Sequence, residues 1–349
     1  METFSIKFVI VLTLSAVLIF STPLMVFIII YSDLDIIKEN LSFNYTPETS
    51  YTRIQLNIYA DVGNIEIEYN TESTDEYIHT DIGIELAGLD LKDKTYSHFF
   101  NFSWIEVNSS VDFYLTLKSH TLEEFSNLLM KKINIFFSLK ADIIFDINAI
   151  TNQGDIKFQA EYGIHVGNIN INVSKGNILY DLSYCIIEGN LSGVVSTGDI
   201  EFKTFNEKYT QNTNWNLTVE TGDINLYIYQ FNSPEANISG TVKVNEGDVF
   251  FLYEDNSADI GARFDVFIDF IVPDCLMSNP AFENCSFIIG FHYTLPNDTP
   301  EIDNYIITSW DLKNNDIKNF YDIVFDIIQK PVINNCYVSM KLESIPYNW

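Results

Sequence analysis

Positive charge is what this chain has least of. Its 349 residues hold 19 Lys and Arg against 48 Asp and Glu, a formal net charge of −29. A surface of that sign is repelled by phosphate backbones and by anionic headgroups, which excludes nucleic acid as a partner. Catalytic fingerprints are missing as well. The five histidines, His79, His98, His120, His165 and His292, lack zinc-site spacing, and there is no HExxH, P-loop, GxSxG or dinucleotide-binding glycine pattern. The familiar metalloprotease, NTPase, hydrolase and dehydrogenase sites are therefore absent, and the chain is expected not to be an enzyme. Cysteine is sparse. Of the four, Cys275 and Cys285 flank a short loop that a disulfide would close, Cys185 sits in an apolar segment as a small buried residue, and Cys336 is distant.

Charge is wholly absent from Phe8 to Tyr31. As a helix those 24 residues would span ~36 Å, more than the ~30 Å hydrocarbon core of a bilayer. A cleaved signal peptide has a shorter apolar region with small residues close behind, so an uncleaved membrane-spanning anchor is expected. Lys7 precedes the run, whereas Asp33, Asp35 and Glu39 follow it with only Lys38 opposing. The positive-inside tendency then leaves residues 1–7 in the cytoplasm and everything after Tyr31 outside the plasma membrane. Sequons agree with that side: Asn-x-Ser/Thr occurs at Asn40, Asn44, Asn101, Asn108, Asn172, Asn190, Asn216, Asn237, Asn284 and Asn297.

What is present is a repeat. Glycine followed by Asn or Asp and then an aliphatic recurs at Gly63, Gly154, Gly167, Gly176, Gly189, Gly198, Gly222 and Gly247. From Gly154 through Gly176, Gly198 and Gly222 to Gly247 the steps are 22, 22, 24 and 25 residues, and Gly167 to Gly189 forms an offset register of 22. Glycine adopts positive φ freely and Asx supports a turn, so each copy reads as a structural turn. The residues after each turn alternate, as in Ile156, Phe158, Ala160 and in Ile224, Leu226, Ile228. Period-two alternation is a half-buried strand, and one such strand buries its apolar face only by stacking on its neighbours. The fold class is therefore all-β: a β-solenoid or toast-rack ectodomain.

Along the chain, residues 32–50 read as a polar stalk and 51–260 as the repeat region, starting at Gly63 rather than Gly154. Thr121 to Glu124 has capping-box spacing, predicting a helical insertion near 121–132 with Lys131 and Lys132 at its end. After Asp259 the repeat stops. Residues 261–349 are expected to form a C-terminal β cap or small β domain that covers the open strand edges.

The blocks Ala60-Asp61-Val62-Gly63-Asn64-Ile65-Glu66-Ile67, Ser196-Thr197-Gly198-Asp199-Ile200 and Thr221-Gly222-Asp223-Ile224, with a single anchor, resemble the putative adhesin family of prokaryotic surface proteins. The resemblance covers roughly residues 53–258. It implies a toast-rack or β-helical surface scaffold, and it assigns no ligand.

Asp155, Asp199, Asp223 and Asp248, interrupted by Asn177, fall on equivalent corners. A carboxylate column has the chemistry to bind calcium, or to supply acid and base to a polysaccharide. Asn stands at many of the same corners without loss of the pattern, so a structural role without a cofactor is expected. The reading is a noncatalytic, membrane-anchored surface protein that acts as adhesin, envelope scaffold or binding module for a glycan or protein. Its rival is a β-helical carbohydrate-active enzyme that uses the corner carboxylates.

Overall fold

The computed structural model describes residues 35–72, 75–89, 91–230, 232, 235–247 and 249–255, and beyond residue 260 the strands alone. The apolar run 8–31, Asp248 and the sequons Asn284 and Asn297 lie outside the described residues. Among the described residues no helix is long and apolar enough to cross a membrane.

The protein is mostly β. The strands before the helical insertion are β1 (Asp35–Tyr45), β2 (Arg53–Val62), β3 (Asn64–Asn70), β4 (Ile78–Gly88), β5 (Phe100–Val107) and β6 (Ser110–Leu117). There follow β7 (Met130–Lys140), β8 (Ile144–Gln153), β9 (Ile156–Ala160), β10 (His165–Lys175), β11 (Ile178–Ser183), β12 (Ile186–Ile187) and β13 (Leu191–Thr197). Next come β14 (Ile200–Phe205), β15 (Lys208–Tyr209), β16 (Thr213–Thr221), β17 (Ile224–Gln230), β18 (Ile238–Glu246) and β19 (Val249–Asp255). The last six are β20 (Gly261–Phe270), β21 (Cys275–Met277), β22 (Cys285–Tyr293), β23 (Thr308–Trp310), β24 (Asn319–Ile328) and β25 (Cys336–Leu342).

Two sheets share them. One runs β1-β4-β7-β3-β9-β11-β14-β17-β19-β25-β21, the other β23-β22-β20-β24-β18-β16-β13-β10-β8-β2-β6-β5. Between β8 and β19 the long strands alternate between the sheets, so each circuit adds one parallel strand to both. Pairing is in register: Ile156, Ile178, Ile200 and Ile224 are successive partners. Equivalent side chains consequently stack in columns about 4.8 Å apart. Phe158, Tyr180 and Phe202 form one interior column, with ring centroids 6.2 and 5.2 Å apart, and Trp215 of the facing sheet meets Phe202 at 4.9 Å. All four are buried. Gly193 leaves the space that the Tyr180 ring occupies, because a Cβ there would lie 3.3 Å from Tyr180 Cε2.

The corner glycines divide into two kinds. Gly63, Gly154, Gly176, Gly198, Gly222 and Gly247 all have φ between 129° and 147°, a region in effect reserved for glycine. Gly63 joins this stack although 91 residues separate it from Gly154: a Cβ on Gly154 would lie 2.1 Å from the Gly63 carbonyl oxygen. Gly167 and Gly189 are different. Neither has positive φ, and both are needed because the backbones approach so closely that a Cβ on Gly189 would lie 2.3 Å from the Gly167 carbonyl carbon. The left-handed residues of the second corner are instead Gly163, Tyr184 and Asn206.

Two expectations are corrected. The segment 32–50 is not a stalk throughout, since Asp35–Tyr45 is β1 and pairs antiparallel with β4 along its whole length. Its alternation is weak because it is an edge strand with one partner, so little of its outer side is buried. The helix near 121–132 is shorter: a 3-10 turn at Ser119–Thr121 leads into the helix Leu122–Ser126. The Thr121 hydroxyl donates to the Lys118 carbonyl instead of capping, and residues from Met130 belong to β7. Lys131 still serves the helix C-terminus, donating from Nζ to the Ser126 carbonyl at 2.8 Å. Strand register sets Cys275 opposite Cys336 and Cys285 opposite Ala262, and the side chains of these cysteines lie outside the described residues.

β1 and the chain between β3 and β8 close one end of the stack. β7, β4 and β1 extend the first sheet beyond β3, and β6 and β5 extend the second beyond β2. Phe43 of β1 stacks on Phe102 of β5 at 4.3 Å and lies 6.1 Å from Trp104, which joins the two terminal strands. At the other end, β24 pairs with β18 and β25 with β19.

Candidate functional site

The corner Asx residues form a hydrogen-bonded ladder. Asn64 Oδ1 accepts the backbone N–H of Asp155 at 3.0 Å, Asp155 Oδ1 that of Asn177 at 2.8 Å, Asn177 Oδ1 that of Asp199 at 2.9 Å, and Asp199 Oδ1 that of Asp223 at 2.8 Å. Each Asx therefore serves the amide of its equivalent one circuit on, rather than its own turn. Asn and Asp offer the same acceptor oxygen, which explains why they interchange. A second ladder runs Asp146, Asn168, Asn190, Asn214 at 2.8, 3.0 and 2.9 Å. Arg53 anchors its first member, with Nε and Nη2 2.6 and 2.7 Å from the Asp146 carboxylate, and these bonds help hold that carboxyl below its ordinary value against the opposing cost of burial.

The ladder carries a prediction. Asp199→Asn keeps the acceptor and should leave stability within about 0.5 kcal/mol, whereas Asp199→Ala strips the Asp223 amide of its partner and should cost about 1 kcal/mol. Urea unfolding midpoints of the two variants distinguish them; equal loss in both would show that charge, not acceptor geometry, matters at this corner.

The described histidines are dispersed. His79 lies within 3.1 Å of Asp81, His98 within 2.9 Å of Glu124 and His165 within 2.5 Å of Glu188, and His120 faces His98 with centroids 6.4 Å apart. Among the described residues no group of three or more His, Cys, Asp or Glu is placed to hold a metal ion. Cys185 is a buried free thiol, pushed well above its ordinary pKa by burial.

A different feature stands out on the outer face of the first sheet. Tyr162, Tyr184, Phe205 and Tyr229 form a column with centroids 6.3, 5.2 and 5.7 Å apart. The first two are exposed and the last two half-buried. One row away, Asp181, Lys203 and Tyr227 are register partners. Lys203 Nζ lies 2.6 Å from Glu201 and 5.7 Å from the Tyr227 ring centroid. Phe205, Tyr229, Tyr227, Asp181 and Lys203, with Ser183, Glu201 and Thr204, line a depression of about 480 Å³, and Tyr184 and Tyr162 continue the column beyond it. The face offers flat aromatic surface beside charged groups of both signs. Sequence reasoning passed over this column because Phe205 and Tyr229 hold outward positions of β14 and β17 while Tyr162 and Tyr184 lie just beyond strand ends, although their spacing of 22, 21 and 24 residues follows the repeat.

The sequons leave the strands that carry this column clear. All eight that are described, at Asn40, Asn44, Asn101, Asn108, Asn172, Asn190, Asn216 and Asn237, are exposed. They lie on β1 or on strands and turns of the second sheet, and none is on β3, β9, β11, β14 or β17.

No family model and no curated protein matches the chain. Among solved structures it is similar to a putative cell adhesion protein from Clostridium sporogenes, with TM-score 0.36 at 11% identity over 88% of this chain and 100% of that one. A putative adhesin from Bacteroides fragilis gives 0.38 at 11% identity over 87% and 97%. A putative lipid binding protein from Parabacteroides distasonis gives 0.38 at 10% over 88% and 97%. Likeness this distant assigns neither ligand nor activity.

Proposed function

We propose that this is a noncatalytic, adhesin-like surface protein: a single-pass anchor at 8–31 that holds a β-solenoid ectodomain outside the plasma membrane and binds a surface glycan on the aromatic face. The observation that carries the reading is the column Tyr162, Tyr184, Phe205, Tyr229 beside Asp181, Glu201 and Lys203. A pyranose ring presents weakly positive C–H groups on its faces and hydroxyls around its rim. The negative faces of aromatic rings match the first, and carboxylates, hydroxyls and an ammonium match the second. The occupied Asx ladders point the same way, since the corner carboxylates that a hydrolase would need are engaged with backbone amides.

The test is a glycan array probed with the full chain in nanodiscs, followed by titration of any hit. A fragment beginning at Asn40 would cut β1, so it is unsuitable. Tyr184→Ala and Tyr229→Ala should each weaken binding by roughly 5–10-fold, the worth of about one lost aromatic contact, with little change in melting temperature. Binding that survives both substitutions would remove the column from the site, and absence of any glycan hit would count against the reading.

A further inference from the structure

Among the described residues, four of the ten exposed large hydrophobics gather at one corner of the fold: Ile36 at 61% exposure, Leu89 at 57%, Leu129 at 63% and Met130 at 37%. Register brings them together. Ile36 is opposite Ala87, Ala87 is opposite Met130, the Leu129 N–H donates to the Ala87 carbonyl at 2.9 Å, and Leu89 follows Gly88, the partner of Asp35. A patch built by three separate segments is a feature of the fold, and scattered exposure does not produce it. The next row on the same face reads Lys38, Glu85, Lys132 across the three strands. Lys92 stands on the other side of the patch, its N–H donating to Asp35 Oδ2 at 3.0 Å. The chain holds 48 acidic and only 19 basic residues, and three of its lysines lie at this corner.

The position of the corner matters most. It is where β1 begins, and the uncharged run ends at Tyr31, four Cα steps before Asp35. Four steps reach at most about 14 Å. If 8–31 spans a bilayer, the corner lies within that distance of its surface, with no stalk to hold it away.

We propose that this corner is a lipid-contacting face: Ile36, Leu89, Leu129 and Met130 enter the headgroup and acyl boundary around the anchor's own exit point, and Lys38, Lys92 and Lys132 meet lipid phosphates. The chemistry is that of an interfacial anchor, an apolar surface rimmed by lysines whose stems cover hydrocarbon while the ammonium stays at the phosphates. The net charge of the whole chain argues for repulsion from such a surface, and the local arrangement overrides it because screening limits charge effects to about 10 Å. The consequence is a fixed orientation, with the long axis of the stack referred to the membrane through two attachments instead of one.

The proposal rests on the anchor reading, and the experiment separates the two. The full chain, placed in nanodiscs of phosphatidylcholine or of phosphatidylcholine with phosphatidylglycerol, carries a photoreactive benzoylphenylalanine at one position at a time: Leu18, Leu129 or Tyr162. Lipid adducts are expected from Leu18 and Leu129 and not from Tyr162. Adducts from Leu18 alone would leave the anchor standing and overturn the lipid-contacting corner. No adduct at Leu18 or Leu129 would overturn both. A crosslink from Leu129 to a second copy of the chain, without lipid, would make the corner a self-association surface and overturn the proposal. Lys38→Glu with Lys132→Glu should lower the Leu129 adduct yield several-fold, more strongly with the anionic lipid; an unchanged yield would overturn the role given to the lysines.

Discussion

Gly198→Ala is expected to destabilise the protein by at least about 4 kcal/mol, and to leave a chain that no longer unfolds in one cooperative step. Two costs add at this position. The backbone sits at φ 130°, where an L side chain is strained, and the new methyl carbon would lie 2.0 Å from the Gly176 carbonyl oxygen, which is backbone and cannot rotate away. Relief would require the circuits on either side to separate, breaking the Asn177 to Asp199 and Asp199 to Asp223 bonds and the pairing of β11 with β14. Because each circuit contacts only its neighbours, the break would divide the stack into blocks that melt separately. Gly163→Ala is the control. Its φ is 77° with nothing within 4 Å, and the equivalent residue one circuit on is Tyr184 at 54°, so the cost there should be only about 1 kcal/mol. Urea unfolding followed by circular dichroism gives both numbers; similar losses for the two alanines would refute the close-approach argument.

Glu207→Gln should stabilise the protein increasingly as pH rises. Glu207 is buried where the preceding circuit places Cys185, and its Oε1 accepts the Phe205 N–H at 2.6 Å. Gln230 on the next circuit donates to the Glu207 carbonyl at 3.1 Å. Burial pushes the carboxyl from its ordinary 4.5 up to about 8, and the Phe205 N–H opposes the shift only in part. The sign follows from proton counting. Below pH 4.5 both folded and unfolded states hold the proton, and the residue contributes no penalty. Between 4.5 and about 8 the unfolded chain releases the proton while the folded one keeps it, so stability falls as pH rises, and above about 8 the loss is complete. The full span corresponds to something on the order of 4–5 kcal/mol as an upper bound. The amide keeps the acceptor and cannot ionise. The difference between variant and wild type, measured by urea unfolding at pH 5, 7 and 9, isolates this group from the many other carboxylates. A difference that does not change with pH would show that water reaches Glu207 in the folded state.

How much of this was legible beforehand depends on whether a feature is periodic. The strands from Ile156 to Ile228 were readable because Gly-Asx and period-two alternation are local rules, and the assignment of Gly63 to the same array came from the same rule across a 91-residue gap. The stalk reading of 32–50 failed in part because an edge strand such as β1 buries only alternate residues weakly and its partner, β4, lies some forty residues away. The helix after Thr121 was overestimated because Met130 to Lys132 read as a helix end until their pairing with β4 is known. For Gly167 and Gly189 the residue type was right and the reason was not: they permit close approach of backbones, a relation between circuits that no single turn contains.

The sequence alone determined that the chain builds stacked β circuits, because apolar alternation and turn glycines act within a few residues and repeat. Only the tertiary structure decided which side chains meet. The aromatic column, the ladder from each Asx to the amide one circuit on, the buried Glu207 and the apolar corner all depend on register between segments 20 or more residues apart. A one-residue slip in that register would turn every such side chain to the opposite face, and pairing across the whole stack is what fixes it.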